Sequence, residues 1–280
     1  SGPAPPTYFL TSSFGSATVC EALFYDDGGP TSAYAEGKDD TMSFYPAGNS
    51  YLVAAFPYQL SLGSGDTLWV YAGTFPNASP LAVFTQGSAR SDTVVAPAPN
   101  QPLTFRFVSN TDGNTSQGWA ARIYCVASPP QPTTYMGAGV RYVACGNPYR
   151  FYDSGSPYLI GDNGRSTYGN YANSENRTLT FASEGLNWKL RLQISTFSTE
   201  SSLDWFEVYD GPSPSAPLIG RWSGSNPPPI LISSGPFLTI RFTSDGSANS
   251  SGWTAQVSCS DPAPPTYFLT SSFGSATVCE

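Results

Sequence analysis

The side chains of this sequence that could carry chemistry are five cysteines and a scattered set of carboxylates. The cysteines stand at positions 20, 125, 145, 259 and 279, and the chain contains no histidine. Without histidine, Ser-His-Asp catalysis, Cys-His catalysis and His-based zinc sites are excluded. The adjacent Asp39 and Asp40 would point to opposite faces of a strand, so they cannot form a glycosidase pair by themselves. The sequence therefore predicts a protein that is not an enzyme.

An internal repeat accounts for the spacing of the first four cysteines. The matched blocks occur in the same order in both halves: FYDDGGP (24–30) with FYDSGSP (151–157), DTLWVYAG (66–73) with DWFEVYDG (204–211), and GWAARIYC (118–125) with GWTAQVSC (252–259). Each unit has one cysteine near each end. We therefore predict the disulfides Cys20–Cys125 and Cys145–Cys259. Persistent disulfides are typical of secreted proteins.

A second repeat joins the two ends of the chain. Residues 260–280 repeat residues 1–21 with a single difference, Asp261 in place of Gly2. Cys279 corresponds to Cys20, and no counterpart of Cys125 follows it in the sequence. We expect the 280 residues to be a window on a tandem array with a period of 259 residues. The alternative is an engineered copy of the first strand, placed so that it completes its own sheet or a neighbour's by strand addition.

The fold class predicted from the pattern is all-β. Blocks such as LTFRFVS and LTIRFTS alternate apolar and polar residues, turn-forming clusters separate the blocks, and no stretch keeps a helical period. We predict two β-sandwiches joined by stiff Pro-rich spacers. The predicted boundaries are a spacer at 1–6, a first sandwich at 7–127, a linker at 128–134, a second sandwich at 135–260 and the start of the next copy at 261–280.

Composition narrows the class of partner. The net charge is −8, only 11% of residues are charged, and Lys and Arg form no cluster. The cluster of positive charge that binds nucleic acid or an anionic membrane is therefore absent from the sequence. No apolar run reaches 18 residues, so no transmembrane helix is predicted and we expect no membrane insertion.

The segment 204–259 resembles a CUB domain. The resemblance lies in the motifs D-x-x-x-V-Y-D-G, P-x-I-L-I-S-S-G, L-T-I-x-F-x-S-D and the closing G-W-x-A, together with FYDSGSP and YANSENRTLTF further upstream. The first sandwich is similar but weaker, with VYAG for VYDG and VSN for TSD. The resemblance implies jelly-roll-like sandwiches of an extracellular protein that bind proteins or glycans without catalysis.

The same resemblance implies a Ca²⁺ site. Many CUB domains hold Ca²⁺ with one Glu and two Asp, and the matching positions here are Glu200, Asp204 and Asp245. Three carboxylates on one edge suit a hard cation. The alternative is that the two aspartates are turn residues bonding local amides. The first sandwich keeps Asp66 but has Asn110 at the turn and no matching Glu, so we predict no site there.

Four N-x-[ST] sequons predict N-glycosylation, and all fall in predicted turns or strand edges. They are Asn77, Asn114, Asn176 and Asn249.

Together these features favour the structural repeat unit of a secreted, extracellular filament, cell-surface appendage or matrix fibre. Its main partner would be further copies of itself, joined head to tail, with glycans as possible further partners. The alternative is a secreted CUB-type binding module that recognises a glycan or a protein. A third interpretation, a non-catalytic part of a secreted hydrolase, has no catalytic residues to support it.

Overall fold

The computed structural model describes residues 3–89, 91–155, 157–159 and 166–262. Cys279 and nearly all of the predicted next copy at 261–280 lie outside the described residues. The described chain is all-β, as predicted, apart from a single 3-10 turn at Glu184–Leu186. The described part contains no helix with the length and hydropathy needed to cross a membrane.

The first sandwich contains ten strands. They are β1 Thr7–Phe9, β2 Gly15–Val19, β3 Glu21–Tyr25, β4 Asp39–Pro46, β5 Tyr51–Ser61, β6 Thr67–Ala72, β7 Ser79–Phe84, β8 Thr93–Val95, β9 Leu103–Val108 and β10 Gly118–Val126. One sheet has the order β1-β3-β10-β5-β8, and the facing layer has the order β2-β4-β9-β6-β7.

The second sandwich repeats this order. Its strands are β11 Thr133–Tyr135, β12 Ala138–Val143, β13 Tyr149–Tyr152, β14 Pro157–Leu159, β15 Ser166–Tyr168, β16 Asn176–Ser183, β17 Trp188–Ser198, β18 Trp205–Tyr209, β19 Leu218–Trp222, β20 Leu231–Ile232, β21 Phe237–Thr243 and β22 Gly252–Pro262. One sheet runs β11-β13-β22-β17-β20 and the facing layer β12-β16-β21-β18-β19, while β14 and β15 form a separate hairpin.

Matched aromatic side chains fill the two cores. Trp119 at the start of β10 and Trp253 at the start of β22 are both buried. Trp119 packs on Phe24, with ring centroids 5.7 Å apart, and Trp253 packs on Phe151 at the same distance. The alternating pattern of the strands turns these rings inward between the two layers of each sandwich.

Strand pairing joins the two sandwiches. The Pro-rich string 128–134 links them in sequence, but β12 pairs antiparallel with β7 on one side and parallel with β16 on the other. The facing layers of both sandwiches thus form one ten-stranded sheet, ordered β19-β18-β21-β16-β12-β7-β6-β9-β4-β2. The edge of β7, which would otherwise expose unpaired amides, is covered by the next sandwich.

A buried ion pair lies at this joint. The Arg141 Nε of β12 donates to Asp92 Oδ2 at 2.8 Å, and both side chains are buried. Thr134 Oγ1 donates to the same carboxylate oxygen at 2.7 Å, and Arg141 Nη1 donates to the Val83 carbonyl of β7 at 3.0 Å. The guanidinium also lies over the Phe84 ring, 4.3 Å from its centroid. The buried charge thereby has an opposite charge and hydrogen-bond partners, as a buried charge requires.

Candidate functional site

Three carboxylates converge at one end of the second sandwich. Glu200 follows β17, Asp204 immediately precedes β18, and Asp245 lies in the turn after β21. One oxygen from each of these carboxylates lies within 4.8 Å of the other two. The structure therefore brings together the three residues that the resemblance implied as Ca²⁺ ligands.

The buried hydroxyl of Tyr171 organises this end of the sandwich. It donates to Asp204 Oδ2 at 2.5 Å and accepts from the Glu200 backbone N–H at 2.9 Å. Burial first, and then the hydrogen bond to Asp204, raises the pKa of Tyr171 to about 12, so the hydroxyl keeps its proton. Asp204 Oδ1 accepts the backbone N–H of Asp245 at 2.9 Å. The spacing of the cluster is thus set by fixed main-chain contacts.

The electrostatics of the cluster favour a bound cation. Glu200 Oε2 is buried without any hydrogen-bond donor among the described residues. Desolvation, followed by repulsion from Asp245 and Asp204, raises the pKa of Glu200. A divalent cation would supply the missing partner and remove the repulsion, and a set of carboxylate oxygens matches the preference of Ca²⁺. The turn interpretation also applies, because Asp245 Oδ1 accepts the Ser247 amide at 2.9 Å.

The first sandwich has the same frame with only one of the three acids. Tyr34 donates to Asp66 Oδ2 at 2.5 Å, and Asp66 Oδ1 accepts the Asn110 amide at 2.8 Å. Gly63 donates its N–H to the Tyr34 hydroxyl, so it stands where Glu200 stands in the second sandwich. A Cβ on Gly63 would lie 1.6 Å from the Asn114 carbonyl oxygen, which leaves no room for a side chain. The frame is retained here, and a single carboxylate remains of the three.

Disulfides close each sandwich. The structure joins Cys20 to Cys125 and Cys145 to Cys259, across 105 and 114 residues of chain. Closing a loop of this length with a disulfide would stabilise each sandwich by roughly 4–5 kcal/mol in the chain-entropy model.

All four predicted glycosylation sites lie at the surface. Asn77, Asn114, Asn176 and Asn249 are exposed. Asn249 also donates from Nδ2 to Asn173 Oδ1 at 3.3 Å, which a glycan on this residue would have to accommodate.

Comparison with known proteins finds one family model that covers the acidic cluster. Residues 167–257 match the CUB domain model, and this range contains all three acids of the cluster. The second sandwich therefore contains a CUB-like domain. CUB domains are non-catalytic binding modules, although some proteases also carry them.

The chain spans only a small share of the curated relatives that it matches. It is 31% identical to pig cubilin over 176 residues, which is 60% of this chain and 4% of cubilin. It is 37% identical over 71 residues to exoskeleton protein RP43 of Riftia pachyptila, covering 24% of this chain and 17% of that protein. A solved structure, the CUB1-EGF-CUB2 domain of human MASP-1/3, is similar at 14% identity and a TM-score of 0.34, covering 86% of this chain and 100% of that one.

Sequence reasoning missed two features of the structure. Tyr171 was detectable, because it is the first residue of YANSENRTLTF and aligns with Tyr34 in the repeat. The Asp92–Arg141 pair was not, because each residue lies in a different sandwich and neither has a charged counterpart in the other.

Proposed function

We propose that this protein is the structural repeat unit of an extracellular filament or surface appendage, built from CUB-like sandwiches joined head to tail. The observation that carries the proposal is the joint between the two sandwiches. A strand edge of the first sandwich is covered by the second, and a buried ion pair fixes the contact. Rigid joints between successive units are what a linear repeat protein needs, and a non-closing contact of this type generates a fibre.

The disulfides, the exposed sequons and one similar protein support an extracellular fibre. Both disulfides close long loops, and all four sequons are exposed. Disulfides persist in oxidising compartments, and glycans shield an exposed polymer from proteases. One of the similar proteins is named an exoskeleton protein. We therefore place this chain outside the cell, with further copies of itself as its main partner.

Electron microscopy of the full-length protein from its natural source tests this function. We expect long filaments whose labelling by an antibody against this chain recurs along the whole length. Discrete particles in the same preparation would refute the structural function. A preparation treated with reductant and denaturant before imaging provides the control for nonspecific aggregates.

The acidic cluster favours a second candidate, a secreted binding module with Ca²⁺ as its cofactor. Glu200, Asp204 and Asp245 would hold the ion, and the ion would fix the loops after β17 and β21. A bound ion with open positions could also take up an acidic or hydroxyl-bearing group of a glycan or protein partner. This candidate requires no polymer, so it can be tested separately.

Isothermal titration of Ca²⁺ into the intact chain tests the metal site. We expect binding at about one ion per chain, lost or weakened about tenfold or more by Asp245→Asn, since carboxylate count sets affinity at such sites. Asp245→Asn imitates the Asn110 of the first sandwich, which already folds with that residue. Asp112→Asn, an exposed acid in the matching turn, is the control and should leave binding unchanged. Absence of any heat with the wild-type chain would refute the site.

A further inference from the structure

The ten-stranded sheet ends in two strands that are each paired on one side only. Among the described residues, β19 pairs with β18 alone, and β2 pairs with β4 alone. An open strand edge presents a row of free N–H and C=O groups that can accept another strand. The two open edges belong to different sandwiches, so they can meet only between copies of the sheet.

The open strand β19 is the counterpart of β7, the strand that is covered inside the chain. β7 pairs with β6 and β19 pairs with β18 in the same register, with a bulge at the same position. This register aligns Ile219 with Leu81. Leu81 is 7% exposed, whereas Ile219 is 37% exposed.

The surroundings of β19 show the same contrast. The β5–β8 and β17–β20 pairings align Ile232 with Val95. Val95 is 7% exposed at the joint, and Ile232 is 52% exposed. Leu218 and Ile230 are also exposed on this side of the second sandwich. The apolar surface that the first sandwich buries against its neighbour is therefore present on the second sandwich without a cover among the described residues.

The other open strand, β2, is the counterpart of β12. Gly15 pairs with Met42 in parallel as Gly139 pairs with Leu179. The short strands before them, β1 and β11, also pair alike, which aligns Phe9 with Tyr135. Tyr135 is 4% exposed and Phe9 is 45% exposed, and Phe14 beside β2 is almost fully exposed. The first sandwich thus presents the apolar face that the second sandwich uses at the internal joint.

We propose that β19 accepts strand β2 of a second copy of this chain, antiparallel and in the register of the β7–β12 joint. In that register Ser16 lies opposite Arg221 and Ala17 opposite Gly220, as Val140 lies opposite Val83 and Arg141 opposite Ala82. The inference deepens the proposed function and rests on it, because it names the contact by which one unit joins the next.

The buried Asp92–Arg141 pair prevents the internal joint and the proposed joint from exchanging partners. At the proposed joint, Ala17 takes the place of Arg141, and by the β8–β20 alignment Pro229 takes the place of Asp92. No charged residue takes the place of either partner of the Asp92–Arg141 pair there. A first sandwich docked on β7 would leave Asp92 buried without its arginine, which is strongly unfavourable. First and second sandwiches must therefore alternate.

The backbone N–H of Ser16 is a donor of the proposed contact that one substitution can remove. The carbonyl of Val19 accepts the Ala47 amide beside β4, so Val19 directs its polar backbone groups toward that strand. Since backbone groups alternate sides along a strand, the Ser16 N–H lies on the open edge. Proline removes an edge N–H without disturbing the sheet behind it. Ser16→Pro therefore deletes one donor of the proposed contact and leaves the sandwich intact.

The sequence supplies a matched control. Residues 274–278 repeat the Gly-Ser-Ala-Thr-Val of β2, so Ser275→Pro makes the same change in the copy of the strand. Ser16→Ala, which keeps the N–H, controls for loss of the hydroxyl. Circular dichroism melts of each variant establish that the sandwiches remain folded.

Sedimentation equilibrium of the intact 280-residue chain over a concentration series is the experiment. We expect an open-ended series of oligomers, with the association constant reduced about tenfold or more by Ser16→Pro, because a buried carbonyl loses its donor. Ser16→Ala and Ser275→Pro should associate like the wild type. A chain that stays monomeric in every variant refutes the proposal. Association that appears only in Ser275→Pro also refutes it, since the segment 274–278 would then occupy the edge.

The sedimentation experiment and the electron microscopy test different claims, so either claim can be refuted while the other stands. Natural filaments combined with association that ignores Ser16→Pro would overturn the strand contact and leave the structural function standing. Association that depends on Ser16 in a protein that forms no natural filament would overturn the function and leave the contact standing.

Discussion

At the residue scale, a pair of buried aspartates marks the same corner of both sandwiches. Asp26 accepts the N–H groups of Gly28 and Trp119, and Asp153 accepts those of Gly155 and Trp253. Burial is the main cause that raises the pKa of each aspartate to about 6. The glycines before the two tryptophans have positive φ, and a Cβ on either would collide with the aspartate. The corner therefore depends on a carboxyl that is costly to ionise.

This cost predicts an unusual pH dependence of stability. A carboxyl whose folded pKa lies above its unfolded value stabilises the fold when protonated and loses that contribution as pH rises through the folded pKa. We expect the denaturation midpoint, measured with EDTA present, to rise as pH falls from 7 through 6 towards the unfolded pKa of 3.8. Asp92 and Glu200, whose pKa values are also raised, act in the same direction.

The double variant Asp26→Asn/Asp153→Asn provides the control for this dependence. It removes both titrating groups and should flatten most of the slope between pH 7 and pH 5, whatever its absolute stability. A wild-type midpoint that falls over this interval would contradict the assignment.

At the element scale, β12 carries the joint because it is paired on both sides. Its arginine reaches across β7 into the first sandwich, and burial outweighs the arginine in raising the pKa of Asp92. A buried pair of this kind is informative about specificity rather than stability. Here the Asp92–Arg141 pair determines which sandwich docks on which strand edge.

Breaking one half of this pair should be costly. We expect Arg141→Met to lower the free energy of unfolding by about 3–5 kcal/mol, because Asp92 stays buried without its partner. The double variant Asp92→Leu/Arg141→Met should recover much of that loss. Denaturant unfolding of the singles and the double measures this coupling. Glu21→Gln, which breaks an exposed ion pair with Arg122, is the control and should change stability by less than about 1 kcal/mol. Additive losses in the double variant would contradict a coupled buried pair.

At the scale of the whole molecule, two different joints imply a repeat of two sandwiches. Two stacked sandwiches of this size advance at most about 80–90 Å. Because the internal joint is a direct strand contact, we expect the axial period seen by electron microscopy to lie below that limit. A period of a single sandwich would mean that the two joints are equivalent, which the Asp92–Arg141 pair argues against.

The sequence predicted those features that recur within it or within a known family. The pairing of Cys20 with Cys125 followed from the repeat, and the acidic cluster around Asp204 followed from the CUB motifs. The joint could not be predicted, because Arg141 and Asp92 are brought together by the approach of two sandwiches rather than by a local pattern. The Pro-rich string at 128–134 favoured a spacer, and nothing in its composition indicates that the next strand closes an open sheet edge.

The two disulfides also determine how such a chain would respond to a pull along its length. Each bond ties together residues near the points where the polypeptide enters and leaves a sandwich, across loops of 105 and 114 residues. Tension would pass from one cysteine to its partner through a covalent bond, so most of each sandwich would never be loaded through its backbone. Only the short segments outside the two loops could extend. A single oxidised chain pulled from its two ends would therefore be nearly inextensible, and chemical reduction would let its sandwiches unfold and extend.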